Sequence, residues 1–165
     1  TVVQTGNANT ATVTQSGRDH EALVEQGGNG NRAMLSQSSR DNKAAVRQAG
    51  SGNEAYVTQL GHNNRRADVT QAGDDNVAYL TQLSDRNEAS IDQAGDGNLA
   101  LLSQSGGNGN EASINQVGNG GYARITQAGS GNRASQAQGG DDNLSDLYQL
   151  GNNNRASSSQ GGWYN

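Results

Sequence analysis

Residues Gln48 to Gln59 read Gln-Ala-Gly-Ser-Gly-Asn-Glu-Ala-Tyr-Val-Thr-Gln, and close variants of this unit recur about every eleven residues along the chain. With the first Gln as position zero, Gly stands at two, Asn at five, Ala at seven, an aliphatic residue at nine and the next Gln at eleven; here these are Gly50, Asn53, Ala55, Val57 and Gln59. The last four are spaced by two, so in an extended chain Asn, Ala, Val and Gln share one face while Glu54, Tyr56 and Thr58 share the other. Each unit therefore predicts one strand. The four residues between Gln and Asn, with Gly second, are enough to reverse the chain, and Gly accepts the positive φ of a tight corner.

The Gln register runs Gln4, Gln15, Gln26, Gln37, Gln48, Gln59, Gln71, Gln82, Gln93, Gln104, Gln116, Gln127, Gln138, Gln149 and Gln160. The Asn position holds Asn31, Asn42, Asn53, Asn76, Asn87, Asn98, Asn132 and Asn143 among others, with His20 and Gly121 as exceptions. Two intervals are twelve residues long, with the extra residue at Arg65/Arg66 and within Gly106 to Asn110. In both cases Ala, the aliphatic residue and Gln then resume their spacing. A slip inside a strand would exchange its faces, so turns or strand starts are expected to absorb the insertion. Gln136 and Ser158 break the aliphatic column, and the last two layers are expected to be the loosest.

By composition the chain resembles a disordered segment: among 165 residues there are 24 Gly, one Trp and no Cys, Pro or Phe. Mean hydropathy is strongly negative. A fixed short period overrides that reading and points to a solenoid, with residues 1–165 forming one domain. A net charge of −5 with dispersed Arg gives no footprint for nucleic acid. No apolar run approaches the ~20 residues that span a bilayer. The repeat is already running at Val2, so an export signal is expected to have been removed or to lie outside this chain.

Strands joined by short, nearly equal turns could form an antiparallel meander or a coil. The outward residues favour the coil. First outward positions place opposite charges 22 residues apart: Glu21 with Lys43, Arg66 with Glu88, Glu111 with Arg133. Thr14, Ser36, Thr58, Thr81, Ser103, Thr126 and Tyr148 form a near-unbroken hydroxyl series at intervals of 22 or 23. Like stands over like only if two strands make one 22-residue coil. The expected fold is thus all-β: a two-sheet parallel β-solenoid of about seven coils. Met34, Tyr56, Tyr79 and Leu101 then lie together on one outer face as a candidate lateral contact patch.

Inside the coil, Asn and Gln occupy the corners, and Ala with one aliphatic fills the narrow middle. A buried amide with unmade hydrogen bonds costs about 1–3 kcal/mol, so stacking must pair identical amides into ladders or bind them to turn backbone. One aliphatic per eleven residues is little apolar burial, leaving backbone and amide ladders to carry the fold. Neither terminus supplies a helix, a Pro or a dense charge cluster as a cap. Open ends of this kind are expected to stack head to tail into a fibre.

The motif Gln-x-Gly-x-x-Asn-x-Ala-x-x-x-Gln, unmodified at Gln48 to Gln59, Gln71 to Gln82 and Gln93 to Gln104, resembles the curlin repeat of curli subunits, and the resemblance spans essentially the whole chain. It implies a secreted, cell-surface-attached subunit of functional amyloid fibres on Gram-negative bacteria, serving as biofilm matrix and adhesin. It also implies an outer-membrane secretion pore and a nucleating partner subunit. Family repeats commonly begin the first strand with Ser and alternate two unlike arms, whereas both arms here carry Asn. A minor, nucleating subunit is the alternative within the family.

Other classes fit less well. His20 takes an Asn position and His62 a turn, and without Cys they make no metal constellation. Asp74, Asp75, Asp96, Asp141 and Asp142 lie in turns, but calcium-binding Gly-Asp rolls use a nine-residue period. No spacing suggests a catalytic triad or a phosphate loop, so neither an enzyme nor a cofactor is expected. An ice-binding solenoid needs a wider flat Thr array, and a monomeric adhesin needs capped ends.

Overall fold

The structure is a computed structural model that describes residues 1–162; residues 163–165, which the sequence reading counts within its one domain, lie outside the described residues. Each unit forms a strand: β1 (Val2–Asn7), β2 (Thr10–Arg18), β3 (Glu21–Asn29), β4 (Arg32–Arg40), β5 (Lys43–Ser51), β6 (Glu54–Gln59), β7 (Arg66–Ala72) and β8 (Val77–Gln82). The series continues with β9 (Glu88–Ala94), β10 (Leu99–Ser105), β11 (Glu111–Val117), β12 (Tyr122–Ala128), β13 (Arg133–Gly139), β14 (Leu144–Leu150) and β15 (Arg155–Gly161). No helix occurs among the described residues.

Odd strands stack in sequence order into an eight-stranded parallel sheet and even strands into a seven-stranded one. The result is a β-solenoid of about seven turns. Equivalent positions face each other throughout: Gln48 pairs with Gln26 and Gln71, and Leu80 with Val57 and Leu102. Between the sheets, Ala and aliphatic side chains such as Ala55, Val69, Leu80, Ile91, Ile114 and Ile125 form one buried core running the length of the coil. It is one Ala and one aliphatic deep per strand, which is why small residues are required there.

The first twelve-residue unit is absorbed as a bulge at the start of β7. The Arg65 N–H donates to the Asn87 carbonyl at 3.0 Å, the bond that the first strand residue makes in other coils, as in Lys43 to Asn64. Arg66 in turn stands opposite Glu88, so one place on β9 faces two residues of the incoming chain, and the β5–β7 register begins only at Ala45 and Asp68. The cost falls on Asn64, whose buried Nδ2 has no hydrogen-bond partner.

Two expectations need correcting. Arg66 stands in register with Glu88 as expected but makes no ion pair with it: its Nε reaches Asp68 on its own strand at 2.7 Å, while Glu21–Lys43 and Glu111–Arg133 form ion pairs across rungs. Asp68, two residues further along the same outward face, takes the guanidinium instead. Nor is looseness confined to the last layers. Gln15 is exposed and Val13 only partly buried at one end, as Gln160 and Ser158 are partly buried at the other. An end rung lacks cover on one side whichever end it occupies, yet Leu147 and Gln149 of β14, the last strand of its sheet, stay buried where Val13 and Gln15 of β2 at the opposite end do not.

Candidate functional site: the stacked amide columns and the outer face

The Gln side chains of each sheet form a column along the solenoid axis. In the eight-stranded sheet, Gln4 Nε2 donates to Gln26 Oε1 at 2.6 Å, Gln26 to Gln48 at 2.7 Å, and Gln48 to Gln71 at 2.8 Å, with further links through Gln93, Gln116 and Gln138 to Gln160. In the seven-stranded sheet the column runs from Gln15 through Gln37, Gln59, Gln82, Gln104 and Gln127 to Gln149. Apart from the end residues Gln4, Gln15 and Gln160, these amides are buried.

All links point the same way. From Gln26 onward, the second N–H of each amide donates to a main-chain carbonyl on the facing strand: Gln26 to Thr10 at 3.2 Å, Gln48 to Arg32 at 3.0 Å, Gln104 to Glu88 at 3.0 Å. A carbonyl can only accept, so it fixes which end of the amide is nitrogen. Every Nε2 consequently points toward the C-terminal end of the coil and every Oε1 toward the N-terminal end.

Asn works differently. Its Oδ1 accepts the main-chain N–H of the residue one coil further on, as Asn31 does from Asn53 and Asn53 from Asn76, both at 3.0 Å. Its Nδ2 donates to the carbonyl of the next coil's corner Gly: Asn53 to Gly73, Asn76 to Gly95 and Asn98 to Gly118 at 2.7 Å, and Asn132 to Gly151 at 2.8 Å. Asn31, Asn42 and Asn143 make the same reach. Asn87 turns back to Ser84 within its own turn. Direct amide-to-amide contact is the exception, as from Asn98 to Asn76 at 3.0 Å. Asn is thus a clip between successive turns, and Gln a continuous chain.

The corner Gly carbonyl is the functional group that the motif alone does not disclose. Gly at position two reads as a turn residue, yet it is also the acceptor for the Asn clip. Gly95 has φ of 114°, and a Cβ there would be driven into the Gly118 carbonyl oxygen stacked on it. The missing side chain is what lets the Gly95 and Gly118 corners approach this closely. The turn residue that follows adds a third column, in which Asp74 Oδ1 accepts the Ser51 N–H at 2.7 Å and Asp96 Oδ1 the Asp74 N–H at 2.8 Å.

Met34, Tyr56, Tyr79 and Leu101 lie in register on the outer face of the seven-stranded sheet. The Tyr56 and Tyr79 rings stack with centroids 4.8 Å apart and planes 7° from parallel, and the Arg32 guanidinium sits 5.9 Å from the Tyr56 centroid. Tyr56 donates its O–H to Glu54 at 2.6 Å, which holds the phenol above its ordinary range. The column changes character at Arg124, whose guanidinium pairs with Asp146. Among the described residues, no group of three or more His, Cys, Asp or Glu is placed to hold a metal ion.

With this repeat geometry in view, the comparison with known families is direct. The family model described as the curlin associated repeat matches residues 1–38, 39–65, 66–93, 84–118 and 107–139. The chain belongs to the curlin repeat family. In a comparison with curated proteins, none matches it. The matches cover the solenoid from β1 through β13, and the family is a structural, non-enzymatic one whose members build curli fibres. No helix of the described residues is long and apolar enough to cross a membrane.

Proposed function

We propose that this curlin-repeat chain is the structural subunit of an extracellular amyloid fibre, assembling head to tail for biofilm matrix and adhesion. The observation that carries the reading is the common direction of the Gln columns. Gln149 and Gln160 each donate one N–H to a carbonyl, of Arg133 and Leu144, and keep the other for a further rung. At the opposite end Gln4 and Gln15 present Oε1 atoms that receive no donor among the described residues. One end offers donors and the other acceptors, so a second copy extends both columns without an orphaned buried amide.

In this reading the buried Gln and Asn columns are the organising contacts within and between subunits. The Met34, Tyr56, Tyr79 and Leu101 face serves side-by-side association of filaments. A secretion pore and a nucleating partner belong to the same reading through the family.

The test is cross-β diffraction and electron cryo-microscopy of the purified chain, with a meridional spacing near 4.8 Å expected. Replacing Gln48 and Asn53 together by Leu is expected to slow fibre growth. A dye-negative monomer that persists at neutral pH would favour a capped adhesin instead.

A further inference from the structure

His20 occupies an Asn position, and the structure shows it making two of the three bonds that Asn makes there. Its Nε2 lies 3.0 Å from the Ser16 carbonyl, four residues back, just as Asn42 Nδ2 donates to Ser38 and Asn53 Nδ2 to Ala49. Its Nδ1 accepts the Asn42 main-chain N–H at 3.3 Å, where Asn31 Oδ1 accepts that of Asn53. The Ser16 carbonyl can only accept and the Asn42 N–H can only donate. Those partners admit a single form of the ring: neutral, with the proton on Nε2 and the lone pair on Nδ1.

We propose that His20 is an acid-sensitive clip that loosens the first coils of the solenoid when its ring is protonated. A second proton has nowhere to go but Nδ1, where it meets the Asn42 N–H, donor against donor. Asn42 is fully buried, so its N–H has no solvent to turn to. The surrounding charges do not dictate the outcome. Arg18, Asp19 and Glu21 flank His20 on its own turn, and Arg40, Asp41 and Lys43 occupy the turn stacked on it, with Lys43 and Glu21 paired at 2.8 Å. The N-terminal ammonium of Thr1, donating to the Ala22 carbonyl at 2.7 Å, adds one positive charge to these three of each sign, and the hydrogen-bond geometry makes the same demand as that charge: a neutral ring. Because the fold accepts the neutral ring, the clip holds while the ring is neutral and is lost when the ring takes up a second proton. The other imidazole, His62, sits exposed beside Asp85 in a turn and gives no such conflict.

The experiment is hydrogen exchange of the full chain, in whatever assembled form it adopts, at pH 7.5 and pH 5, corrected for intrinsic exchange. Wild type and the His20→Asn and His62→Asn variants are compared. His20→Asn restores the residue usual at this position, so it folds in the same coil. In wild type and His62→Asn, exchange across residues 16–24 and 38–44 is expected to rise roughly tenfold at pH 5, the scale of losing one hydrogen bond, while His20→Asn stays flat. Equal acid responses in wild type and His20→Asn, or no response in either, would overturn the proposal. Neither result bears on whether the chain forms fibres.

Discussion

The corner positions of the motif look alike in sequence and differ sharply in what they tolerate. At position four, Gly97 has φ of 66° with open space around it, and Asp75 and Asp142 fill equivalent positions at φ of 55°. At position two, Gly95 faces the carbonyl of Gly118, and Ser39 is an unusual side chain there, at φ of 83°. Gly95→Ala is therefore expected to cost about 2–4 kcal/mol, combining a disfavoured φ with a steric clash, whereas Gly97→Ala should cost about 1 kcal/mol or less. Denaturant midpoints of the assembled protein measure both. The periodic Gln, Asn, Ala and aliphatic residues gave the strand, its inward face and the coil length directly. The Asn clip was harder to read, because its partner is a backbone carbonyl and carries no residue identity.

Among the strands, β13 departs most from the pattern. Gln136 takes the aliphatic position and is buried, donating to the Arg124 carbonyl at 2.9 Å and the Ser145 hydroxyl at 3.0 Å. Its Oε1 is buried without a partner. Ser145 in turn reaches Ser158 at 3.0 Å, so a small polar cluster replaces the apolar middle of the coil. The aliphatic column marked Gln136 and Ser158 as irregular but could not show that they meet through Ser145. Gln136→Ile with Ser145→Ala is expected to raise stability by about 1–2 kcal/mol, removing an unsatisfied carbonyl and restoring the column. A higher guanidinium midpoint than wild type is the check. The turns contribute a separate response to acid. The His62 N–H donated to Asp85 holds that carboxyl below its usual range, as the Arg124 guanidinium does for Asp146. A carboxyl depressed in the folded state stabilises fully above the unfolded value near pH 4 and loses that contribution as pH falls through the lower folded value. Asp85→Asn keeps an oxygen for the His62 N–H, as Asn108 Oδ1 does for the Asp85 N–H at 3.2 Å. It is expected to flatten part of the stability loss below about pH 4, measured in acid titrations, without touching the response at higher pH assigned to His20.

For the whole molecule, the amide columns give the solenoid a direction that its backbone lacks. Parallel strands expose both N–H and C=O at either edge, so backbone pairing alone would let two copies join by like ends. The Gln columns forbid it, since like ends would place donors against donors or acceptors against acceptors in a buried seam. Filaments should therefore be polar, with the Gln149 and Gln160 rung at one tip and the Gln4 and Gln15 rung at the other. Two variants separate the tips. A subunit with Gln149→Leu and Gln160→Leu can still join the donor tip through its intact acceptors but then offers no donors, so it should stop that tip. A subunit with Gln4→Leu and Gln15→Leu should stop the other. Added in small amounts to wild type growing from labelled seeds, each variant is expected to abolish extension at one tip alone, and the pair together at both. If either variant slowed the two tips of the same seed equally, the ends would be chemically alike and the polarity read from the amide columns would be wrong.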